Sequence, residues 1–162
     1  MSAVIATARP SLITRSANAI KSVYRGLDFL SPVADLIVRL WVAKVFFSSG
    51  LVKIQSLDST ILLFTYEYHV PFLPPVAAAY MGTFTELFFP VLLAFGLAGR
   101  FAAFVLFVFN IIAAISYPEL MGPGIRDHQV WGIMLLVTLL HGPGKISLDH
   151  LIGRKFGFGS RV

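Results

Sequence analysis

The stretch from Arg39 to Lys53, RLWVAKVFFSSGLVK, decides the fold: it is mostly apolar yet carries three cations, Arg39, Lys44 and Lys53. On a helix, Asp35, Arg39, Ala43, Phe46, Gly50 and Lys53 fall at steps of three or four and share one face. Leu40, Val42, Val45, Phe47, Leu51 and Val52 occupy most of the remaining circumference. A soluble helix turns its charges to water. This pattern is instead that of a membrane span with a lipid side and a polar seam of small residues. Charge inside a span is costly and faces protein, so other helices must supply partners for the seam.

Composition agrees. Hydrophobic residues make up 57% of the 162 residues and charged residues only 13%, with a mean hydropathy of +0.81. Soluble domains usually carry about 25% charged residues, so a polytopic membrane protein of one domain is expected. There is no cysteine, which excludes disulfides, thiolate iron–sulfur or zinc sites and an internal dithiol relay. The net charge of +5 lies beside apolar spans, where an anionic membrane face explains it and nucleic acid does not.

Residues 1–32 form a basic amino-terminal segment. Ile13, Ala17, Ile20, Tyr24 and Leu27 make an apolar stripe opposite Arg15, Lys21, Ser22 and Arg25. The stripe favours a helix lying on the cytoplasmic membrane face over the alternative of a transit peptide. Ser31-Pro32 then reads as the start of the first span, about 33–53. Asp58-Ser59 can cap a short helix, STILLFTYEY, broken by the prolines at 71, 74 and 75. It is too short to span and reads as a lid over the outer mouth.

The second span, about 76–97, holds Glu86 amid apolar residues. Pro90, four residues on, removes the amide that would bond the Glu86 carbonyl. The third, about 100–117, presents Ala103, Leu106, Asn110, Ala113 and Tyr117 on its seam. An outer loop at 118–124 leads to a fourth span at about 127–141, which opens on Asp127-His128-Gln129. The expectation is an all-α, polytopic four-helix bundle over 33–142, with a basic cytoplasmic tail at 143–162. Nine of the thirteen Lys and Arg lie in the amino-terminal segment, at Arg100 and in the tail. Both termini are therefore expected in the cytoplasm.

At about 1.5 Å per residue, Lys44, Glu86 and Asn110 reach a common depth near the bilayer centre, with Arg39 about 7 Å lower. Arg39 lies on the small-residue face and is the favoured partner of Glu86; Lys44 is the second choice. Two readings stay open for this cluster, a pin for helix packing and a site for a polar headgroup or proton path. His128 and His141 are about 20 Å apart along one helix and cannot share a metal. His69 with His128 could at most attempt a bis-histidine haem, and interfacial hydrogen-bonded histidines are the simpler reading. No haem, metal or iron–sulfur site is expected.

Arg39-Leu40 followed by Phe46, Gly50 and Lys53 resembles the first-helix signature of the DoxX family, small bacterial and archaeal four-helix membrane proteins. Glu86 with the following LLAFGLAGRFAA is similar to the family's second-helix glutamate and G-L-x-x-R turn, and GPGKISLDHLI to its closing segment. The resemblance covers about 36–152. Ala43 stands where the family commonly has glycine, which implies a slightly wider helix contact.

The resemblance implies a multi-pass protein of the bacterial inner membrane, linked to quinone-coupled redox chemistry as a subunit of an oxidoreductase. In that reading Glu86 and Arg39 are the catalytic pair, Glu86 as proton carrier and Arg39 or Lys44 meeting the quinone carbonyl oxygens, while Lys44, Asn110, Phe46, Trp131 and His128 form the quinone-binding set. Electrons must come from or go to a protein partner, because this chain has no evident redox centre. Membrane lipid and a partner or second copy are expected associates. The alternatives are a non-catalytic anchor whose buried charges hold the bundle and, last, a small-solute exporter. Family members are diverse in function, so membership alone does not choose.

Overall fold

A computed structural model describes residues 12–117 and 123–157. Among them every regular element is a helix: α1 Leu12–Gln55, α2 Leu57–Tyr66, α3 Pro75–Phe95, α4 Gly99–Ser116, α5 Pro123–His141 and α6 Leu148–Phe156. The chain divides into two compact units, Met1–Pro32 and Val33–Val162. In the first, Ile20, Tyr24 and Leu27 of the apolar stripe are all exposed. The side chains of Ile13, Arg15 and Ala17, the loop at 118–122 and Arg161 lie outside the described residues.

Several expected boundaries move. Ser31-Pro32 does not begin a helix, because α1 continues through Pro32. A proline inside a helix forgoes one backbone bond, and that single loss leaves the helical pattern on either side intact. Ser56, not Asp58-Ser59, caps α2, its Oγ accepting from the Ser59 amide at 3.3 Å. Gly96 ends α3 in the left-handed conformation, its amide reaching back to Leu92 and Leu93, so the helix stops before 97. α5 starts at Pro123, four residues earlier than the expected 127. The tail contains α6, which Ser147 caps by accepting from the His150 amide at 3.2 Å.

In the second unit, Val42, Ala43 and Phe46 of α1 meet Leu93 of α3, Ala102, Ala103 and Leu106 of α4, and Leu135 of α5 in one core. Small residues let the backbones close in. A Cβ on Gly50 would stand 2.9 Å from Leu87 Cγ and 3.0 Å from Glu86 Cβ, so glycine is required where α1 crosses α3. α2 sits against α3 through Phe64, Ala78 and Ala79. Its Thr60 hydroxyl donates to the Lys53 carbonyl at 2.9 Å, tying it to the end of α1.

The outward faces stay apolar: Trp41, Phe84, Phe88, Phe95, Phe101, Phe104, Ile133 and Leu140 are all exposed. Thr83 and Thr138 return their hydroxyls to carbonyls four residues back, so neither needs water. Pro75–Phe95 and Gly99–Ser116 are long and apolar enough to cross a membrane.

Candidate functional site

The polar seam of α1 separates into two clusters. At the α6 end lies Arg39, only 1% exposed. It donates from Nη1 to the Leu93 carbonyl at 3.4 Å and from Nη2 to the Ile146 carbonyl, with Asp35 and Asp149 as its charged neighbours. Asp149 also holds the start of α4, accepting from the Ala98 and Gly99 amides at 2.8 Å each, while its own amide donates to the Gly96 carbonyl at 3.0 Å. A Cβ on Gly96 would collide with the Arg39 guanidinium, and one on Gly99 would stand 2.6 Å from Pro143 Cβ. The LAFGLAGR turn and the GPGKISLD stretch are therefore two halves of one clasp closed over a buried arginine.

At the α2 end lies Glu86, and its partner is Lys53. Lys53 Nζ stands 2.6 Å from Oε2 and 2.8 Å from Oε1, and Ser49 Oγ donates to Oε1 at 3.2 Å. Lys53 Nζ donates also to Ser49 Oγ at 2.9 Å. The expectation that Glu86 pairs with Arg39, or failing that Lys44, is corrected. Counting depth from Pro32 placed Lys44 opposite Glu86, whereas Gly50 occupies that level. The slip is six residues, roughly 9 Å, and it carries Arg39 to the far end. Lys44 is exposed.

Above the Lys53–Glu86 pair opens a cavity of about 650 Å³. Phe46, Phe109 and Trp131 make one wall, Phe64 and Tyr68 of the α2 region another, and Ser116 and His128 add polar atoms. Phe46 meets Phe109 and Trp131 edge-on at 6.2 and 6.0 Å, and Trp131 meets His128 at 4.9 Å. The segment after α2 forms the rim. Its Tyr68 stacks on Phe64 and Tyr117 at 5.0 and 5.1 Å, and the His69 amide donates to the Ser116 carbonyl at 2.7 Å. Burial pushes the Tyr68 phenol above its ordinary pKa, with Glu86, Tyr117 and Glu67 adding to the effect, so it stays protonated. Phe72, also on the rim, holds a left-handed φ of 64° while fully exposed.

Of the residues singled out in the sequence, Glu86, Phe46, Trp131 and His128 come together around this cavity. Asn110 stands behind His128, bonded to it at 2.8 Å. Arg39 and Lys44 do not line it. Lys53 lay on the expected seam but was not assigned to Glu86. Ser116 was not singled out at all: it is 1% exposed, lines the cavity, and its Oγ has no hydrogen-bond partner. Nothing in its local sequence marks it, because it is buried by the segment returning from α2. Among the described residues no group of three His, Cys, Asp or Glu could hold a metal ion.

Apolar helices packed around buried charge define the class: an all-helical membrane protein with an internal polar site. The chain belongs to the DoxX family, whose model matches residues 34–118. It is 31% identical over 133 residues to an uncharacterized protein of Haemophilus influenzae, covering 78% of this chain and 87% of that one. It is 32% identical over 131 residues to the Bacillus subtilis protein named "Putative oxidoreductase CatD", covering 77% and 92%. No solved structure gives a significant match.

Proposed function

We propose that the chain is a multi-pass inner-membrane subunit of a quinone-linked oxidoreductase, and that the cavity over Lys53–Glu86 receives the quinone ring. In this reading the second half of α1 with α3, α4 and α5 crosses the bilayer as a four-helix bundle. α2 is its outer lid, and the basic amino-terminal segment and α6 lie at the cytoplasmic face. The clustering of cations toward the Arg100 turn and α6 supports that orientation.

One observation carries the proposal: an apolar, aromatic-walled cavity of about 650 Å³ ends on a buried ion pair. That volume is typical of small-molecule sites. The residues fit a quinone. Phe46, Phe109 and Trp131 offer ring faces and edges. When bound, a quinone would supply two-electron, two-proton redox chemistry that the side chains of this chain lack. The chain's own part is to exclude water and to give up or take up a proton at the Glu86 carboxylate, which Lys53 and Ser49 hold in position by hydrogen bonds. The name of the Bacillus relative supports the redox half of the reading. Electrons pass to or from a partner protein.

The reading is tested on Trp131. The chain has two tryptophans, and Trp41 is exposed and outside the cavity. In a Trp41→Phe background, a short-chain benzoquinone quenches Trp131 fluorescence saturably, and Glu86→Gln keeps binding while lowering turnover in the native complex. Quenching that rises linearly without saturation, as for a quinone merely partitioned into the detergent, overturns the proposal.

A second reading has its own observation. Gly50 brings α1 against Glu86, so the ion pair also pins α1 to α3. A purely structural anchor would lose stability in Glu86→Gln and show no saturable quinone response.

A further inference from the structure

His128 and Asn110 are joined twice. Asn110 Nδ2 donates to the His128 backbone carbonyl at 2.8 Å, and Asn110 Oδ1 lies 2.8 Å from His128 Nδ1. A carbonyl oxygen only accepts, so the amide nitrogen must face it, and the amide oxygen must then face the imidazole. Oδ1 also only accepts, so Nδ1 must carry a proton. In the neutral ring this leaves Nε2 with a bare lone pair. Gly132, one turn after His128, makes the approach possible: a Cβ there would press on Asn110 Nδ2 at 3.3 Å. Asn110 is 4% exposed and does not line the cavity, whereas His128 does. With Nδ1 committed to Asn110, Nε2 is the ring nitrogen left for a ligand.

We propose that His128 offers Nε2 to the cavity strictly as a hydrogen-bond acceptor, with Asn110 as the positioning residue that fixes the tautomer. The site therefore prefers a ring ligand bearing a hydroxyl, such as a hydroquinone, over its oxidised or O-methylated counterpart. This rests on the quinone reading above and adds to it the redox form that the protein selects. A quinone carbonyl brought to the Nε2 lone pair sets acceptor against acceptor, while a hydroquinone O–H completes the bond.

The test uses the full chain in nanodiscs under anaerobic conditions, with equilibrium dialysis corrected for empty discs. The probes are tetramethyl-benzoquinone, its hydroquinone and the hydroquinone's dimethyl ether. One hydrogen bond gained against an acceptor left unsatisfied is worth about tenfold in affinity. The wild type should bind the hydroquinone about tenfold more tightly than either other compound. His128→Phe should bring all three within about twofold by weakening only the hydroquinone. Asn110→Leu should reduce the preference and move the His128 ¹⁵N resonances away from the Nδ1–H tautomer. Equal binding of hydroquinone and ether by the wild type overturns the proposal with no variant needed, as does a preference that survives His128→Phe. Saturable binding of all three without preference leaves the quinone reading standing and removes this one. No binding of any probe removes both.

Discussion

Glu86→Leu lowers the apparent melting temperature of the detergent-purified protein by on the order of 10 °C, following a loss of about 3–5 kcal/mol. Lys53 and Glu86 are 13% and 6% exposed, and among the described residues the ammonium bonds to Glu86 and Ser49. Without the carboxylate, Lys53 must keep a charge with no counter-ion or give up its proton. Both are costly in an apolar wall. The double variant Lys53→Met/Glu86→Leu removes the two charges together and recovers most of the loss, because a buried pair contributes little beyond two well-packed apolar side chains. A double-mutant cycle followed by thermal unfolding measures this. Additive losses in the double variant would show that the two residues do not act as a pair.

Arg39→Leu acts at the other end, with an expected cost of similar size, about 3–5 kcal/mol. The Leu93 and Ile146 carbonyls lose their donor, and Asp35 and Asp149 lose the cation beside them. Asp149 is part of the clasp, so the effect falls on the segment carrying α6. Trypsin should cut at Arg154 and Lys155 much faster in the variant, while the cavity's ligand affinity stays close to wild type. Arg39→Lys should fall between, since one ammonium cannot serve both carbonyls with the spread of a guanidinium fork. Unchanged proteolysis in Arg39→Leu would contradict the clasp.

The contrast between these variants explains what the sequence could convey. Arg39, Ala43, Phe46, Gly50 and Lys53 share a face because helical periodicity is local, and that face was readable. Their axial level against α3 was not. Two apolar helices can slide past one another at little cost in pattern, and the register is fixed by contacts between them, the Gly50–Leu87 approach, the Lys53–Glu86 pair and the Arg39 bond to the Leu93 carbonyl. Reading Pro32 as a helix start converted that freedom into a wrong partner for Glu86. Asn110 and His128 were each legible as polar residues in apolar surroundings, but their mutual bond depends on how α4 meets α5. Ser116 had no signal, since its burial is made by residues nearly fifty positions away, the His69 amide among them. The family-like turn and closing segment were both visible as motifs, and only their docking reveals that they serve Arg39.

The claim at the centre is that the chamber above Lys53–Glu86 holds a quinone ring. Ala113 lines that chamber and is half-buried, so Ala113→Phe fills it without touching either charge. The deciding measurement is the quinone content of solvent extracts from wild type and Ala113→Phe, both purified in mild detergent and matched for melting temperature. The account predicts near-stoichiometric quinone in the wild type and strong depletion in the variant. Equal quinone in the two preparations, or none in the wild type even after quinone is added back, would contradict it.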